Sequence, residues 1–331
     1  MKSQQKTKPS KKPYEEQISW FPNTPLGILA RRVGVIPAHV HEKLIEIVFC
    51  LQGEVKFSYG YEEFLLQPGE FVTVDKDAHF LSAENAQNLV VSIYIDLTWF
   101  QPKYPYITDL LFVCEATRHS DGPYPTVYHN QMKGLLIALL QYKAQHDTKD
   151  ADYTKTLVDC CGHIVDMLMN RFDITYFYHP NLFEKPELME RNRQIQGYLQ
   201  EHYTESVTLE DLATHFGLTK SYVSEFMRNY EIGFRRSLSY IRANNSEKLL
   251  LHTDLNIVQI SEACGFSDPK YYYSAFKDWY KCTPKQFRTI YWNKMNQENA
   301  ETVIPLHEIK PLLHELVMGH YLEYFLYSPQ I

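Results

Sequence analysis

A chain of 331 residues with 44% hydrophobic and 22% charged side chains is too long for one ordinary core and too apolar for wholesale disorder, which predicts two folded domains. Its formal net charge of −7 gives no general attraction for nucleic acid, so any such contact needs a local patch. No apolar run reaches the roughly 18 residues that span a bilayer, and the six cysteines show neither metal spacing nor a small-domain disulfide framework, which fits a reducing cytoplasm.

Residues 1–19 open with Lys2, Lys6, Lys8, Lys11 and Lys12, and no apolar stretch follows. The segment reads as a disordered basic tail and not as a secretory signal. From Trp20 to Leu97 the pattern predicts short strands, among them Glu46–Leu51, Glu54–Ser58, Phe64–Leu66, Phe71–Val74 and Leu89–Ile95, with turn signals at Gly53, Gly60 and Gly69. Strands at such spacing predict a small β-barrel or sandwich. Two helices are predicted next, Tyr128–Gln145 and Asp152–Arg171, from the apolar spacing of Leu135, Leu139 and Tyr142 and of Leu157, Ile164 and Leu168. They form either a dimerisation face or a layer on their own barrel. This first domain spans 20–175, and a linker with Pro180 and Pro186 as breakers spans 176–190.

Within the barrel segment, His39, His41, Glu46 and Gly53 follow the spacing H-x-H-x4-E-x6-G, which resembles the first cupin motif. Pro68, Gly69, Glu70 and His79 fall where the second motif lies, with Asp75 and Asp77 departing from it. In metal-bearing cupins such residues are ligands, and three imidazoles with one carboxylate suit Zn, Fe or Mn. Three readings stay open: a metal site, a metal-free pocket whose polar groups bind a ligand, and a structural role at the barrel mouth. The pocket reading predicts no cofactor and takes His39, His41, Glu46, His79, Arg31 and Tyr94 as ligand-binding residues. Trp20 and Arg32 are further candidates.

Beyond residue 190 the chain is predicted helical. Two similar units lie 48 residues apart, Leu209, Leu212, Gly217 and Thr219 matching Ile257, Ile260, Gly265 and Ser267. In each, a short helix presents two apolar residues, a glycine ends it in a left-handed turn, and Thr219 or Ser267 caps the next helix. That is the pattern of a helix-turn-helix, repeated. The run Ile260 to Arg288 resembles the AraC/XylS family pattern A-x-x-x-G-F-x-D-x-x-Y-F-x-x-x-F-K-x-x-x-G-x-x-P-x-x-F/Y-R, with Ser261 at the first small position and Cys282 read as standing at the usual glycine. The resemblance covers about 100 residues and implies an α+β protein of two domains: a cupin-like β-barrel with flanking helices, then an all-α double helix-turn-helix domain over 191–290.

It also implies a sequence-specific transcription regulator, an activator and not an enzyme, whose two recognition helices enter successive major grooves of double-stranded DNA. The implied partners are that DNA, a small-molecule effector (a carbohydrate by resemblance), a second copy in a homodimer, and RNA polymerase; no membrane is implied. Carried over by position, the DNA contacts are Lys220, Ser221, Ser224, Glu225 and Arg228 in the first unit and Lys270, Tyr273, Ser274 and Lys277 in the second. Glu225 is open to two readings, acceptance from cytosine or a surface pair with Arg228. Arg242 sits in the helix joining the units, and the stretch Thr219–Ile290 holds 11 Lys and Arg against 7 Asp and Glu, a local +4 in an acidic chain. The competing reading is a cupin metalloenzyme with an appended helical domain, which leaves the paired units without a purpose.

A helical extension over 291–331 is predicted last. Val303 to Met318 is amphipathic, and Tyr321, Tyr324, Phe325 and Tyr327 make it aromatic. Alone it would expose a large apolar patch, so it docks, in the first instance on its own DNA-binding domain and otherwise on the sensor domain or a second copy.

Overall fold

The computed structural model describes residues 14–60, 62–76, 78–104, 107–108, 110, 112, 114–116, 126–146, 151–172, 185–295 and 297–327, the last seven by their backbone. Strands β1 (Leu26–His39), β2 (Leu44–Gln52), β3 (Val55–Tyr59), β4 (Glu62–Leu66), β5 (Phe71–Val74), β6 (His79–Ser82), β7 (Leu89–Asp96), β8 (Glu115–Ala116) and β9 (Ala300–Ile304) form one antiparallel sheet in the order β4-β3-β6-β1-β7-β2-β5-β8, with β9 added to β1. β1, at 14 residues, is one long strand where short ones are predicted, because it serves three partners: β7 at its start, β9 along its middle, and β6 at its end.

The sheet curls, and alternate residues of each strand face opposite sides. On β7, Leu89, Val91, Ile93 and Ile95 face outward under helices α1 (Val127–Gln145) and α2 (Ala151–Arg171), in one core with Leu136, Leu140, Leu157 and Ile164. Val90 faces the barrel interior with Val48, Cys50, Phe57, Val72 and Leu81. Both faces of β2 and β7 are therefore buried, which is why their sequences run largely apolar on both alternates, with Glu46, Ser92 and Tyr94 as inward polar exceptions. Of the two roles open to the first helix pair, layering on the barrel is the one seen; Leu135 and Tyr142 lie at its rim. Among the described residues, no helix is long and apolar enough to cross a membrane.

The helical half comprises α3 (Pro186–His202), α4 (Leu209–His215), α5 (Lys220–Tyr230), α6 (Phe234–His252), α7 (Ile257–Ala263), α8 (Pro269–Tyr280) and α9 (Pro284–Met295). α3 starts at Pro186, inside the stretch expected as linker, because proline is well suited to the first turn of a helix; residues 176–184 of that expectation lie outside the described residues.

Two more expectations are corrected. The tail reading of 1–19 fails from Tyr14 onward: the Glu16 side chain is buried in the barrel, while residues 1–13 lie outside the described residues. The C-terminal extension is not helical throughout, and its described residues from β9 onward dock on the barrel domain and not on its own helix-turn-helix units. β9 pairs with β1, Arg31 opposite Val303 and Val33 opposite Glu301, and α10 (Lys310–Tyr327) lies against α1, with Ile309 and Leu313 buried in the outer barrel core. The strand addition depends on Gly34, where a Cβ would meet the Ala300 carbonyl oxygen at 2.8 Å. Only sheet hydrogen bonds could have revealed this, since β9 has an exposed, weakly patterned sequence.

Candidate functional site

Two regions carry the predicted site residues. In the first helix-turn-helix, the Thr208 hydroxyl accepts from the Asp211 N–H and Asp211 answers, closing a capping box on α4. Gly217 then turns the chain at φ 63° and Thr219 caps α5 by accepting from the Tyr222 N–H. In the second, Asn256 and Gln259 form the box on α7 and Gly265 turns at φ 77°; a Cβ there would meet the Tyr203 carbonyl oxygen at 2.6 Å. The cap of α8 is Asp268, which accepts from the Lys270 N–H at 2.8 Å, and not Ser267. Pro269 at the first helical position has no N–H, so the cap shifts one residue. The left-handed residue that ends α8 is Lys281, φ 52°, and not Cys282, so Lys281 holds the conformation that favours glycine.

On α5, Lys220, Ser221, Glu225 and Arg228 are exposed and Ser224 is half-buried, while Val223, Phe226 and Met227 face inward. On α8, Lys270, Tyr273, Ser274 and Lys277 are exposed, while Tyr272, Ala275 and Phe276 face inward. All nine predicted contacts are thus presented away from the cores, joined by exposed Tyr222 and Tyr271. Among the described residues no ion pair joins Glu225 to Arg228; Lys220 reaches Glu210 at 3.5 Å and Lys270 reaches Asp268 at 3.6 Å. Arg242 on α6 donates to the carbonyls of Tyr203 and Glu205, each at 2.7 Å, and so pins the end of α3 to the joining helix.

The second region lies inside the barrel. The inward alternates of the strands bring His39 and Arg31 from β1, Glu46 from β2, His79 from β6 and Tyr94 from β7 together with His41, all buried. Glu46 Oε2 lies 2.9 Å from His41 Nε2 and 2.9 Å from His79 Nε2. Arg31 is fully buried and donates through Nη2 to the Ser92 hydroxyl at 2.9 Å and to the Tyr94 oxygen at 3.4 Å, with Glu46 Oε1 at 3.5 Å. His39 is oriented by Nδ1 against the Pro37 carbonyl at 2.8 Å, which aims Nε2 into the cluster. Burial pushes Glu46 upward, but its bonds to His41 and His79 outweigh that and hold it well below the usual carboxylate range. Burial pushes the Tyr94 hydroxyl well above its ordinary value, so it stays a neutral donor.

Three participants carry no motif signal. Ser92 lies two residues before Tyr94 and shares its face, so strand periodicity could have found it. Glu16 comes from the segment before the first strand, and one of its carboxylate oxygens pairs with Arg31 while the other accepts from the Tyr94 hydroxyl at 2.6 Å. Glu301, on β9, approaches Arg31 Nη1 at 3.2 Å. Two candidates fall away: Arg32 points outward and donates to the Ala86 and Asn88 carbonyls, and Trp20 is 43% exposed at a bridge to Gly27, outside the cluster.

The donor atoms of His39, His41, Glu46 and His79 all lie within 4.8 Å of one another. Buried His39 Nε2 makes no hydrogen bond, so the set fits a divalent cation that three imidazoles and one carboxylate would hold as a Lewis-acidic centre. A cleft of about 420 Å³ runs past His41 and Lys43 on the barrel to Gln200, Asn244 and Lys248 on α3 and α6. A larger cleft, about 830 Å³, lies between α1, α2 and α3, away from the cluster.

The cluster adjoins the second helix-turn-helix through β6. His79 faces the cluster; its neighbours face the helices. The Ala78 N–H donates to Glu247 on α6 at 3.0 Å, and Phe80 packs in one core with Tyr280, Phe287 and Tyr291. Tyr291 closes the contact by donating to the Gly60 carbonyl at 2.9 Å.

Comparison with known proteins agrees with both regions. A cupin domain family matches residues 31–91 and a helix-turn-helix domain family matches residues 212–290. Over 279 residues, 78% of this chain and 87% of its own length, the uncharacterised HTH-type transcriptional regulator YdeC of Bacillus subtilis is 23% identical. The melibiose operon regulatory protein of Escherichia coli is 25% identical over 149 residues, 42% of this chain and 47% of its own length. The ToxT structure from Vibrio cholerae is 12% identical with a TM-score of 0.41, covering 80% of this chain and 97% of that one. The chain spans less than half the length of the curated relatives it matches first. The chain thus carries a cupin domain followed by an AraC-type helix-turn-helix domain, and the relatives it is similar to are HTH-type transcriptional regulators.

Proposed function

We propose that this protein is a cytoplasmic, sequence-specific DNA-binding transcription regulator and not an enzyme, with an effector pocket at the His39/His41/Glu46/His79 cluster. The observation that carries the reading is the pair of exposed helix faces, Lys220 to Arg228 and Lys270 to Lys277, the second built on the same core as the barrel. Lysines and Arg228 on these faces supply phosphate and guanine contacts, and Ser and Tyr side chains adaptable polar ones. A ligand that moves His79 moves Ala78 and Phe80 with it, and so biases the placing of α8 against DNA. The effector is a small molecule, and a carbohydrate is favoured by the likeness to the melibiose operon regulatory protein. Activation, assembly as a homodimer and contact with RNA polymerase belong to the same proposal.

The test is selection of genomic fragments by the purified full chain, with low-salt and higher-salt washes. A few recovered sites, each upstream of a gene cluster, support the reading; salt-sensitive recovery of random fragments counts against it. On a recovered site, Lys270→Ala and Lys277→Ala each weaken binding and lower the log–log salt slope by about 1. The donor set of the cluster favours a second reading, a resident metal, which metal analysis of the purified protein decides.

A further inference from the structure

The site inside the barrel is filled by a part of the chain that does not belong to the barrel. Glu16 lies in an irregular segment ahead of β1, whose neighbours Glu15 and Gln17 are exposed, yet the Glu16 side chain is only 1% exposed. Everything that holds its carboxylate is built by the barrel: the Arg31 guanidinium, the Tyr94 hydroxyl at 2.6 Å, His41 Nε2 at 3.5 Å and His39 Nε2 at 3.6 Å. Arg31 itself is fully enclosed, and its Nε and His39 Nε2 are buried atoms that make no hydrogen bond. The Glu16 carboxylate is paired with the buried Arg31 guanidinium, so the occupant is an anion.

We infer that this cradle is a carboxylate-binding site, that Glu16 is its internal occupant, and that the effector bears a carboxylate that takes the place of Glu16. This deepens the effector-pocket reading and rests on it; joined to the carbohydrate class, it names an acidic sugar. The physical reason is charge. Glu46 and Glu301 stay beside Arg31 at 3.5 and 3.2 Å, but loss of Glu16 removes a buried partner from the guanidinium and the acceptor from the Tyr94 hydroxyl, which is expensive, and a planar carboxylate restores both. A neutral sugar offers hydroxyls, which cannot replace that charge. Because Glu16 is tethered, it competes at an effective concentration in the millimolar range. The displaced segment also carries Tyr14, whose hydroxyl donates to Glu301 on β9 at 3.2 Å, so removal of Glu16 loosens the C-terminal extension from the pocket.

The experiment is titration calorimetry on the full chain after chelator treatment, with acetate, D-galacturonate and D-galactose as probes. Wild type is compared with Glu16→Ala and with the near-isosteric Glu16→Gln, which keeps the proposal testable if the alanine variant folds poorly. The expected result is at least a tenfold gain in affinity for acetate and D-galacturonate in both variants, with D-galactose unchanged. D-galacturonate binding tighter than acetate assigns the acidic sugar, and equal binding assigns a simple organic acid. No gain for either carboxylate, or an equal gain for D-galactose, overturns the inference. So does a gain seen only before chelation, because a metal and not Arg31 would then hold the anion. The two readings fail separately: carboxylate binding without any change in DNA binding sinks the sensor role alone, whereas a DNA response to D-galactose with no carboxylate gain sinks this inference alone.

Discussion

The two helix-turn-helix units are alike in sequence pattern and unlike in surroundings. The first packs within the helical half: Ile195 and Leu199 of α3, Leu212 of α4, Val223 and Phe226 of α5 and Ile241 of α6 form its core. The second shares its core with the barrel, where Ala38, Ala78 and Phe80 lie among Leu250, Phe276, Tyr280 and Phe287. A repeated motif is therefore not a repeated role. Both units present an exposed helix face, and the second also touches the strand that carries His79. The first packs on α3 and α6 instead, and α3 in turn meets α2 where Arg193 donates to Asn170.

The strongest way to break this comparison is to cut a large side chain from each core. Phe276→Ala and Phe226→Ala should each lower the stability of the helical half by about 3–5 kcal/mol, the usual cost of emptying a buried phenylalanine site, as read by denaturant unfolding. Only Phe276→Ala should also speed hydrogen exchange in β6. Equal deprotection of β6 by Phe226→Ala would mean the first unit is coupled to the barrel as tightly as the second.

A pH effect singles out the first unit. The Glu231 carboxyl, in the turn between α5 and α6, accepts from the Ser237 hydroxyl at 3.0 Å, and burial, against the pull of Gln196 and Ser237, raises it from 4.5 to about 7. A carboxyl raised on folding contributes stability that is full below its unfolded value and is lost as pH rises through the folded one. Wild type should therefore lose on the order of 2–3 kcal/mol, relative to Glu231→Gln, between about pH 4.5 and pH 8. Parallel stability curves for the two proteins across that range would remove the effect. The smallest expected change is at the barrel contact. Tyr291→Phe deletes the donor to the Gly60 carbonyl and should lower stability by about 1 kcal/mol, with faster exchange at the β3–β4 turn and none at α5.

Much of the fold was legible because its signals are local. Two-residue alternation, glycine turns, capping residues and apolar triplets act within a few positions, so the helices α1 and α2, most strands and both helix-turn-helix units are readable from spacing alone. The exposed faces of α5 and α8 were legible for the same reason: once α5 and α8 are helices, an apolar set such as Val223, Phe226 and Met227 decides which residues point outward. His39, His41, Glu46 and His79 were legible only as a motif. Their meeting in the interior follows from each lying on the inward face of its strand or next to its end.

What the sequence could not contain were contacts whose partners lie far apart along the chain. Glu16 and Glu301, 285 residues from each other, both reach Arg31, and neither has a flanking pattern that marks it. Likewise β9 reads as part of a helical extension until β1 offers it open hydrogen-bonding groups beside Gly34, and Phe80 looks like any strand residue until the second unit closes over it. The sequence by itself determined which elements form and which faces they show, since those depend on neighbours three or four residues away. The tertiary structure alone decided what fills the pocket and which unit the barrel touches, since a buried charge pairs with whatever group the fold brings within a few ångströms.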